Sequence, residues 1–506
     1  MRKAECVWHL SLWLVAVALA QPKGEVGQRS AVGGQRLGVA GVNRAEFWAY
    51  RESLYTHFED KLDLDLRYAD LSAEFGLLLF EPSKHSPAVR KPLRLFDYAI
   101  AYRPKELEVL VGRCYQTLGK GLALRTYSDD DFRHYKSLHG VKGSFHLPFR
   151  TDLVLLGGRM RDIFFQENTY KLMNASDTTD QVLGADLTAR PHRAFELGGR
   201  YVRINRELDP SAKAFTELFG GNGGVRLGPL DLYGEVCWRL GTRPGIGGRE
   251  KGYGYYLSAA LPLAGFAILG QFMDYTRLGF PPGVYHYNDP PTPIRSGVAL
   301  NRGVDERGFG IELSGTVFNG LYLEAVLGRL FVHDDTSAGV LEWETKGRYA
   351  LGSDWTFEAK FNHMLQKNVE LGTYQRVTDR PTLLVNYSLD RHSLAGELEL
   401  GFVSEQPTDT SHGSHWRYHE PVVSFSYGYG EGWLFTLGWQ GVDQDSLKRY
   451  DNQKSWPFFE TVWNVNERNV LRIRAGAEKG GYTCSGGVCR YEAPFSGVKL
   501  QLISRI

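Results

Sequence analysis

The sequence predicts an all-β chain that forms a single large transmembrane antiparallel β-barrel. Three observations lead to this class: short segments alternate apolar and charged residues, a secretory signal precedes them, and no long apolar run interrupts them. A period of two places apolar side chains on one face of a strand and charged side chains on the other. An outer-membrane barrel turns the apolar face to lipid and the polar face to its interior, whereas a soluble sandwich buries the apolar face between two sheets.

Four segments show this alternation most clearly. They are LDLDLRY at residues 62–68, WTFEAKFN at 355–362, ELELGF at 397–402 and LRIRA at 471–475. In a barrel the charged residues of these segments face the lumen. The candidates for lumen-facing residues are Asp63, Asp65, Arg67, Glu358, Lys360, Glu397, Glu399, Arg472 and Arg474.

The first 20 residues have the features of a secretory signal peptide. Arg2 and Lys3 form a basic start, an apolar run follows, and Ala-Leu-Ala at 18–20 precedes Gln21 as a cleavage site. The run of about eleven apolar residues is too short to span roughly 30 Å of hydrocarbon as a helix. We therefore expect a signal peptide at 1–20, a flexible Gly-rich periplasmic lead-in at 21–42 and an outer-membrane barrel at 43–506.

Composition agrees with an exported β protein. The chain has 59 Lys and Arg against 58 Asp and Glu, and this net charge of +1 gives no reason to expect nucleic acid as a partner. Aromatic residues make up 13% of the chain, and 58 glycines are spread through it. This combination suits many strands, tight turns and aromatic girdles at the membrane interfaces.

The spacing of strand-like segments and turns predicts roughly 22 to 26 strands, within the range of outer-membrane barrels. The strands between residues 115 and 222 are the least defined. Tight connections such as Asn319-Gly320 alternate with long ones such as residues 280–299. Barrels with periplasmic turns and extracellular loops show this alternation of lengths.

A resemblance to a known family rests on three parts of the chain. These are GRCYQTLGKGLALR at 112–125, NRAEFW at 43–48, and the ending EKGGYTCSGGVCR at 478–490 with PFSGV at 494–498. The chain resembles a family of bacterial outer-membrane proteins, domain of unknown function 6029. Arg113, Cys114 and Leu118 depart from the residues usual in the first motif. The resemblance implies an outer-membrane barrel, and it supplies no catalytic residue.

Two of the five cysteines stand out. Cys484 and Cys489 flank a Ser-Gly-Gly-Val turn, and in an oxidising exported compartment this spacing predicts a disulfide. A metal pair is the alternative, but no second pair of thiols lies nearby. We expect Cys114 and Cys237 to be small buried apolar residues. His412, His415 and His419 could supply metal ligands, but a polar loop explains them more simply, and we predict no metal and no cofactor.

Three function classes remain. A porin-like channel with a charged lumen is favoured by the density of charges of both signs on the predicted inner faces. The alternative is a plugged structural or assembly scaffold that partners secretion machinery or lipoproteins. A barrel hydrolase is the third class, and the absence of a marked catalytic cluster leads us to expect no enzyme. The expected partners are outer-membrane lipid, the barrel-assembly machinery, and periplasmic or surface lipoproteins.

Overall fold

The computed structural model of the chain is built from β-strands. It describes residues 31–32, 35–51, 56–82, 93–129, 134–166, 171–209, 212–243, 246–279, 287–295, 305–333, 335, 337–369, 373–408, 415–443, 454–485, 488–492 and 494–506. No helix in this described part is long and apolar enough to cross a membrane. The predicted signal peptide, residues 1–20, lies outside the described residues.

Twenty-four strands form the barrel, so the all-β prediction of one large antiparallel barrel is confirmed. In chain order they are β1 Gly38–Tyr50, β2 Thr56–Tyr68, β3 Leu71–Pro82, β4 Leu93–Tyr102, β5 Leu107–Cys114, β6 His134–Leu147, β7 Thr151–Gln166, β8 Lys171–His192, β9 Phe195–Asp209, β10 Ala212–Leu227, β11 Leu230–Arg243, β12 Ile246–Leu263, β13 Phe266–Thr276, β14 Asp305–Phe318, β15 Leu321–Val332, β16 Gly339–Leu351, β17 Trp355–Lys367, β18 Thr373–Leu389, β19 His392–Pro407, β20 Trp416–Tyr429, β21 Trp433–Gly441, β22 Ser455–Asn466, β23 Asn469–Glu478 and β24 Phe495–Arg505.

The sheet closes on itself because the first strand pairs with the last. Phe47 of β1 lies opposite Leu500 of β24 on one side and opposite Phe58 of β2 on the other. Every other barrel strand pairs with its neighbours in sequence, all in antiparallel register. β1 begins at Gly38, inside the segment 21–42 that we expected to be a lead-in. Its first residues pair with β2 through backbone hydrogen bonds. Because such bonds do not require apolar side chains, the sequence pattern does not indicate this part of the strand.

Connections differ in length between the two ends of the barrel. At one end, the short-turn end, the connections span two to four residues, as in Asn319-Gly320. Gly320 has φ +90°, a left-handed conformation that glycine adopts without a steric cost. The other end, the long-loop end, holds connections such as 115–133, 277–304 and 442–454. Both the start of β1 and the end of β24 lie at the short-turn end.

The outer face of the barrel is apolar. On β19, Leu398, Leu400 and Phe402 are exposed by 38 to 43%, while the glutamates that alternate with them are less exposed and make polar contacts. Aromatic rings gather beside the short turns, where Trp355 packs on Tyr387 at 4.4 Å between ring centroids. Trp433 and Trp463 stack nearly parallel, with 4.8 Å between their ring centroids.

Candidate functional site

The chain leaves the barrel wall after β5 and rejoins it just before β6. Tyr127–Asp129 pairs with the first residues of β6, beyond the point where β5 has ended. The residues between, 115–126, form the first inner segment. Gln116 and Thr126 close its neck, since the Thr126 amide donates to the Gln116 carbonyl at 3.0 Å and the Gln116 amide donates to Thr126 Oγ1 at 2.6 Å.

The first inner segment lies inside the barrel. Its Lys120 amide donates a hydrogen bond to Glu235 Oε2 at 2.7 Å. Glu235 belongs to β11, which lies several strands around the wall from β5, so the segment extends along the inside of the wall to reach it. Four side chains of the segment are fully buried, in contrast to the exposed apolar side chains on the outer face of the wall. They are those of Leu118, Leu122, Ala123 and Leu124.

A second inner segment, residues 287–295 between β13 and β14, docks on the first. The Arg125 amide donates to the Tyr287 carbonyl at 2.9 Å, and the Asp289 amide donates to the Gly121 carbonyl at 3.1 Å. An ion pair of 3.0 Å between Arg125 Nη1 and Asp289 Oδ2 joins the same residues. Backbone and side-chain bonds therefore fasten the two segments into one unit.

Glycines on the wall make room for the second inner segment. Gly310 of β14 and Gly328 of β15 lie directly opposite each other. A Cβ atom at either position would lie 2.7 Å from the carbonyl oxygen of Pro293. The absence of side chains at this point lets the segment approach the wall backbone closely.

A buried polar group on the wall anchors the first inner segment. Arg200 of β9 and Glu235 of β11 form an ion pair, and their side chains are 1% and 0% exposed. Arg200 Nε also lies 3.2 Å from Asp186 Oδ1, and Tyr233 donates to Glu235 Oε2 at 2.7 Å. These partners offset the desolvation of the buried charges. Through the hydrogen bond from Lys120 to Glu235, this group connects β8, β9 and β11 to the first inner segment.

The inner segments and the wall share an apolar core inside the barrel, which we call the inner core. Wall residues from β4 to β16 contribute to it, and they pack against the leucines of the first inner segment. Its larger wall members are Leu138, Leu156, Met160, Val182, Val202, Ile204, Leu218, Tyr256, Met273, Tyr275, Leu330 and Val340. The inner face of this part of the wall therefore combines an apolar core with buried ionic groups such as Arg200 and Glu235, whereas the sequence predicts a charged lumen.

Arg295, at the end of the second inner segment, faces three glutamates of the wall. Its guanidinium forms an ion pair with Glu324, and it lies 3.2 Å from Glu312 and 3.4 Å from Glu344. These glutamates lie on β14, β15 and β16, so one cation neutralises acidic side chains from three consecutive strands. Because Arg295 belongs to the inner segment, this contact identifies the inner face of these strands.

The part of the wall beyond β16 carries charged networks. Arg380 of β18 lies 2.8 Å from Glu399 and 3.0 Å from Glu420, and Lys479 lies 2.5 Å from Glu420. A second network joins Arg474, Glu460, Glu478 and Lys499 on β22 to β24. Arg380 is 36% and Glu399 is 23% exposed, so solvent reaches these side chains although they lie on the face opposite the exposed leucines.

The predicted lumen residues fall into these networks and into local pairs. Lys360 Nζ lies 2.9 Å from Glu344, the glutamate that Arg295 also contacts. The others pair as follows: Glu399 with Arg380, Arg474 and Arg472 with Glu460, Glu358 with Lys346, Glu397 with Ser424, Asp63 with Lys61, and Asp65 with Arg67. That all nine line a path for solutes stays a prediction.

Cysteines and histidines form no metal centre in the described residues. Cys114 and Cys237 are free thiols and are 2% and 1% exposed, as expected of small buried residues. The hairpin of Gly481–Ser485 and Val488–Glu492 places Cys484 directly opposite Cys489. Their side chains lie outside the described residues, so the disulfide stays a prediction.

His412 also lies outside the described residues, and the part of the chain that is described holds no group of three metal-ligating side chains.

Sequence reasoning missed the inner segments. In GLALR at 121–125 the leucines do alternate, but a glycine-rich turn precedes them and no partner strand is implied by the local sequence. The sequence does hold one sign of the inner segments: the neighbouring wall strands lack a clear alternation of apolar and polar residues. LVLLGG at 153–158 is apolar at consecutive positions, which indicates a strand that is covered on both faces.

Comparison with known proteins reveals similar barrels. The P pilus usher (PapC) translocation pore has a TM-score of 0.46 and 9% identity, covering 92% of this chain and 98% of that chain. The siderophore receptor PirA from Pseudomonas aeruginosa has a TM-score of 0.47 and 9% identity, covering 92% and 80%. The outer membrane protein opdK from the same organism has a TM-score of 0.41 and 14% identity, covering 70% and 98%.

These similarities concern the barrel fold alone. No curated protein matches the chain in sequence. Residues 61–282 match the model of a family of unknown function, DUF6029. They run from β2 into the connection after β13 and include the first inner segment with its anchor. The resemblance to this family that the sequence indicates is thereby confirmed over residues 61–282.

Proposed function

We propose that the protein is an outer-membrane channel whose lumen is narrowed by the two inner segments, with a charged aqueous passage beside them. The inner core covers the wall from β4 to β16, and the partly exposed networks around Arg380 and Arg474 occupy the wall beyond it. The observation that carries the proposal is this contrast. The Arg200 and Glu235 side chains are almost fully buried on one side of the lumen, while Arg380 remains 36% exposed on the other.

The outer surface supports the membrane location. A band of exposed leucines and phenylalanines surrounds the barrel, and aromatic rings cluster at the short-turn end. Lipid-facing barrels carry an apolar band with aromatic girdles at both interfaces. The proposal places the short-turn end in the periplasm and the long-loop end outside the cell. Assembly would require the barrel-assembly machinery and a signal peptide at 1–20.

The barrel is wide enough for a passage beside the inner segments. Porins with 16 to 18 strands already enclose an aqueous channel. A barrel of 24 strands is wider, and the two inner segments described here are short compared with its circumference. Their contacts concentrate on one part of the wall. We therefore propose a restricted channel for small polar or charged solutes, without an enzymatic reaction.

Planar bilayer recordings of the purified full-length protein test this function. In the first inner segment Thr117–Leu118 pairs with Leu124–Arg125 to form the inner hairpin. A variant in which Gly-Ser-Gly replaces residues 117–125 removes this hairpin but keeps the neck of the segment. If the protein is an open channel, the wild type should show stepwise conductance and the variant a larger conductance. A silent wild type together with a conducting variant would contradict the open passage.

The plugged scaffold is the second candidate function. The observation that favours it is the fastening of both inner segments to each other and to buried wall charges. The same recordings separate the two candidates, because a plugged scaffold conducts only after the hairpin is removed. If neither protein conducts after verified insertion, removal of the hairpin is not enough to open the barrel, and the channel proposal fails.

A further inference from the structure

A basic recess lies on the outer face of the barrel at the long-loop end. It is formed by the ends of β11 to β15 and has a volume of about 530 Å³. Tyr253 lies on the same face of β12 as the exposed Tyr255 and Leu257, which places the recess on the outside of the wall. Its lining residues are Trp238, Lys251, Gly252, Tyr253, Thr276, Arg277, Asp305 and His333.

Two cations of the recess have no acidic partner among the described residues. The side chains of Lys251 and Arg277 are exposed, and neither forms an ion pair there. Two carboxylates lie close by, and their contacts are with groups other than the Lys251 and Arg277 side chains. Asp274 lies 2.7 Å from His333 Nε2, and Asp305 Oδ1 accepts a hydrogen bond from the Arg277 amide at 3.2 Å. Two cationic side chains and one carboxylate, that of Asp305, line the recess, so its lining carries a net positive charge.

The backbone holds Arg277 in an unfavourable conformation. Its φ is +50°, in the left-handed region, where the Cβ of an L-residue comes too close to the following carbonyl oxygen. Arg239, which is buried, donates from Nη1 to the Arg277 carbonyl at 2.8 Å. On the neighbouring strand a Cβ at Gly252 would lie 2.2 Å from the same carbonyl. Tertiary contacts thus fix the position of this arginine in the recess, as is common at binding sites.

Aromatic rings adjoin the cations. Trp238 and Tyr253 lie directly opposite each other on β11 and β12, and they are 50% and 37% exposed. Such rings concentrate at the level of lipid headgroups, with apolar bodies in the acyl region and polar edges toward water. Lys251 is two residues from Tyr253, on the side toward the long-loop end. The two cations therefore lie where the phosphates of a membrane leaflet would lie.

We propose that this recess binds the phosphate of an anionic lipid headgroup in the leaflet at the long-loop end. Lys251 and Arg277 would contact the phosphate oxygens, and Trp238 and Tyr253 would pack against the upper part of the acyl chains. Arginine and lysine are the side chains that bind phosphate in proteins, and the planar guanidinium can do so with two bonds. The proposal rests on the membrane location given under Proposed function, but it does not require an open lumen.

The test is lipid binding by the full-length protein in dodecyl maltoside micelles, counted by native mass spectrometry. The probes are dilauroyl phosphatidic acid, dilauroyl phosphatidylcholine and inorganic phosphate as a competitor. The double variant K251Q/R277Q should bind phosphatidic acid roughly thirtyfold more weakly, because each cation near a lipid phosphate contributes about 1 kcal/mol. K251Q alone, which leaves the Arg277 backbone contacts intact, should lose roughly fivefold. R226Q, an exposed arginine at the short-turn end, is the matched control.

Retained binding of phosphatidic acid in K251Q and in the double variant would overturn the site. Equal binding of phosphatidylcholine would do the same, and displacement of the lipid by equimolar inorganic phosphate would indicate a site for soluble phosphate instead of lipid. Lipid binding is measured in micelles and does not depend on conductance. The result can therefore be interpreted even if the protein forms no open channel. Failure of the wild type to float with phosphatidylcholine vesicles would instead remove the membrane location on which both proposals depend.

Discussion

The backbone amide of Lys120, in the first inner segment, donates a hydrogen bond to Glu235 Oε2 of the wall at a distance of 2.7 Å. The same carboxylate forms an ion pair with buried Arg200 and accepts a hydrogen bond from Tyr233. One wall glutamate thus neutralises a wall arginine and also holds an inner segment in place. The stability of the wall and the position of the segment are therefore coupled through a single side chain.

We predict that Glu235→Ala destabilises the barrel by about 3 to 5 kcal/mol, because it leaves the Arg200 guanidinium buried without its main partner. The matched control lies on the same strand: Asp231→Ala breaks an exposed pair with Arg226 and should cost about 0 to 1 kcal/mol. Urea unfolding in detergent, followed by the heat-modifiable shift in gel mobility, measures both values. Equal losses in the two variants would contradict the anchoring role of Glu235.

The alternating segments predicted the fold well, because the pleat of a strand is a local property. LDLDLRY, WTFEAKFN, ELELGF and LRIRA all lie in barrel strands, and the 24 strands fall within the predicted number.

The strands between residues 115 and 222 are the least defined by the sequence. Their inward positions include Val182 and Ile204 of the inner core, so both faces are apolar and the period of two is weak. The docking of residues 287–295 onto 115–126 joins parts of the chain that are far apart in sequence, and no local pattern encodes it.

Gly119 provides a test of the first inner segment. Its φ is +63°, and a Cβ there would lie 1.3 Å from Arg200 Nη1. Gly228, in a turn at the short-turn end, has a similar φ of +59° with no atom within 4 Å of a Cβ. Gly119→Ala and Gly228→Ala should share the left-handed penalty of about 1 to 2 kcal/mol. Only Gly119→Ala should also displace the segment, which limited proteolysis within residues 115–126 would detect as faster cleavage than in Gly228→Ala.

Arg295 is expected to control ion preference. Replacement by alanine leaves Glu312, Glu324 and Glu344 without the cation that they share, so the passage becomes more negative. We predict that Arg295→Ala shifts the reversal potential in a KCl gradient toward cation selectivity. Arg295→Lys retains the charge and should stay close to the wild type. An unchanged reversal potential in Arg295→Ala would mean that ions do not pass near this cluster.

The cysteine hairpin yields a prediction that is independent of the lumen. Residues directly opposite in an antiparallel pair have Cα atoms about 4.5 to 5.5 Å apart, within the range that a disulfide requires. Cys484 and Cys489 occupy such a pair. In protein isolated from the outer membrane, neither should react with iodoacetamide until a reductant is added. Alkylation of both residues without reduction, measured by peptide mass spectrometry under denaturing conditions, is the result that excludes the disulfide.

The two faces of β19 distinguish a lipid-facing wall from the core of a soluble protein. Leu400 is 38% exposed in the middle of the strand, and Glu399, on the other face, lies 2.8 Å from Arg380. In a membrane, Leu400→Arg should cost about 2 to 4 kcal/mol, because the charge enters hydrocarbon near the midplane.

Glu399→Gln is the control for the opposite face of β19. It should cost about 0 to 1 kcal/mol, since the pair is partly exposed and Arg380 keeps Glu420 at 3.0 Å. Leu400→Ala adds a third arm. Lipid refills the space beside a barrel, so this truncation should cost less than the 2 to 5 kcal/mol of a core leucine. A full core penalty for Leu400→Ala, in a protein that stays soluble without detergent, would show that this face packs against protein, and the channel proposal would fail with it.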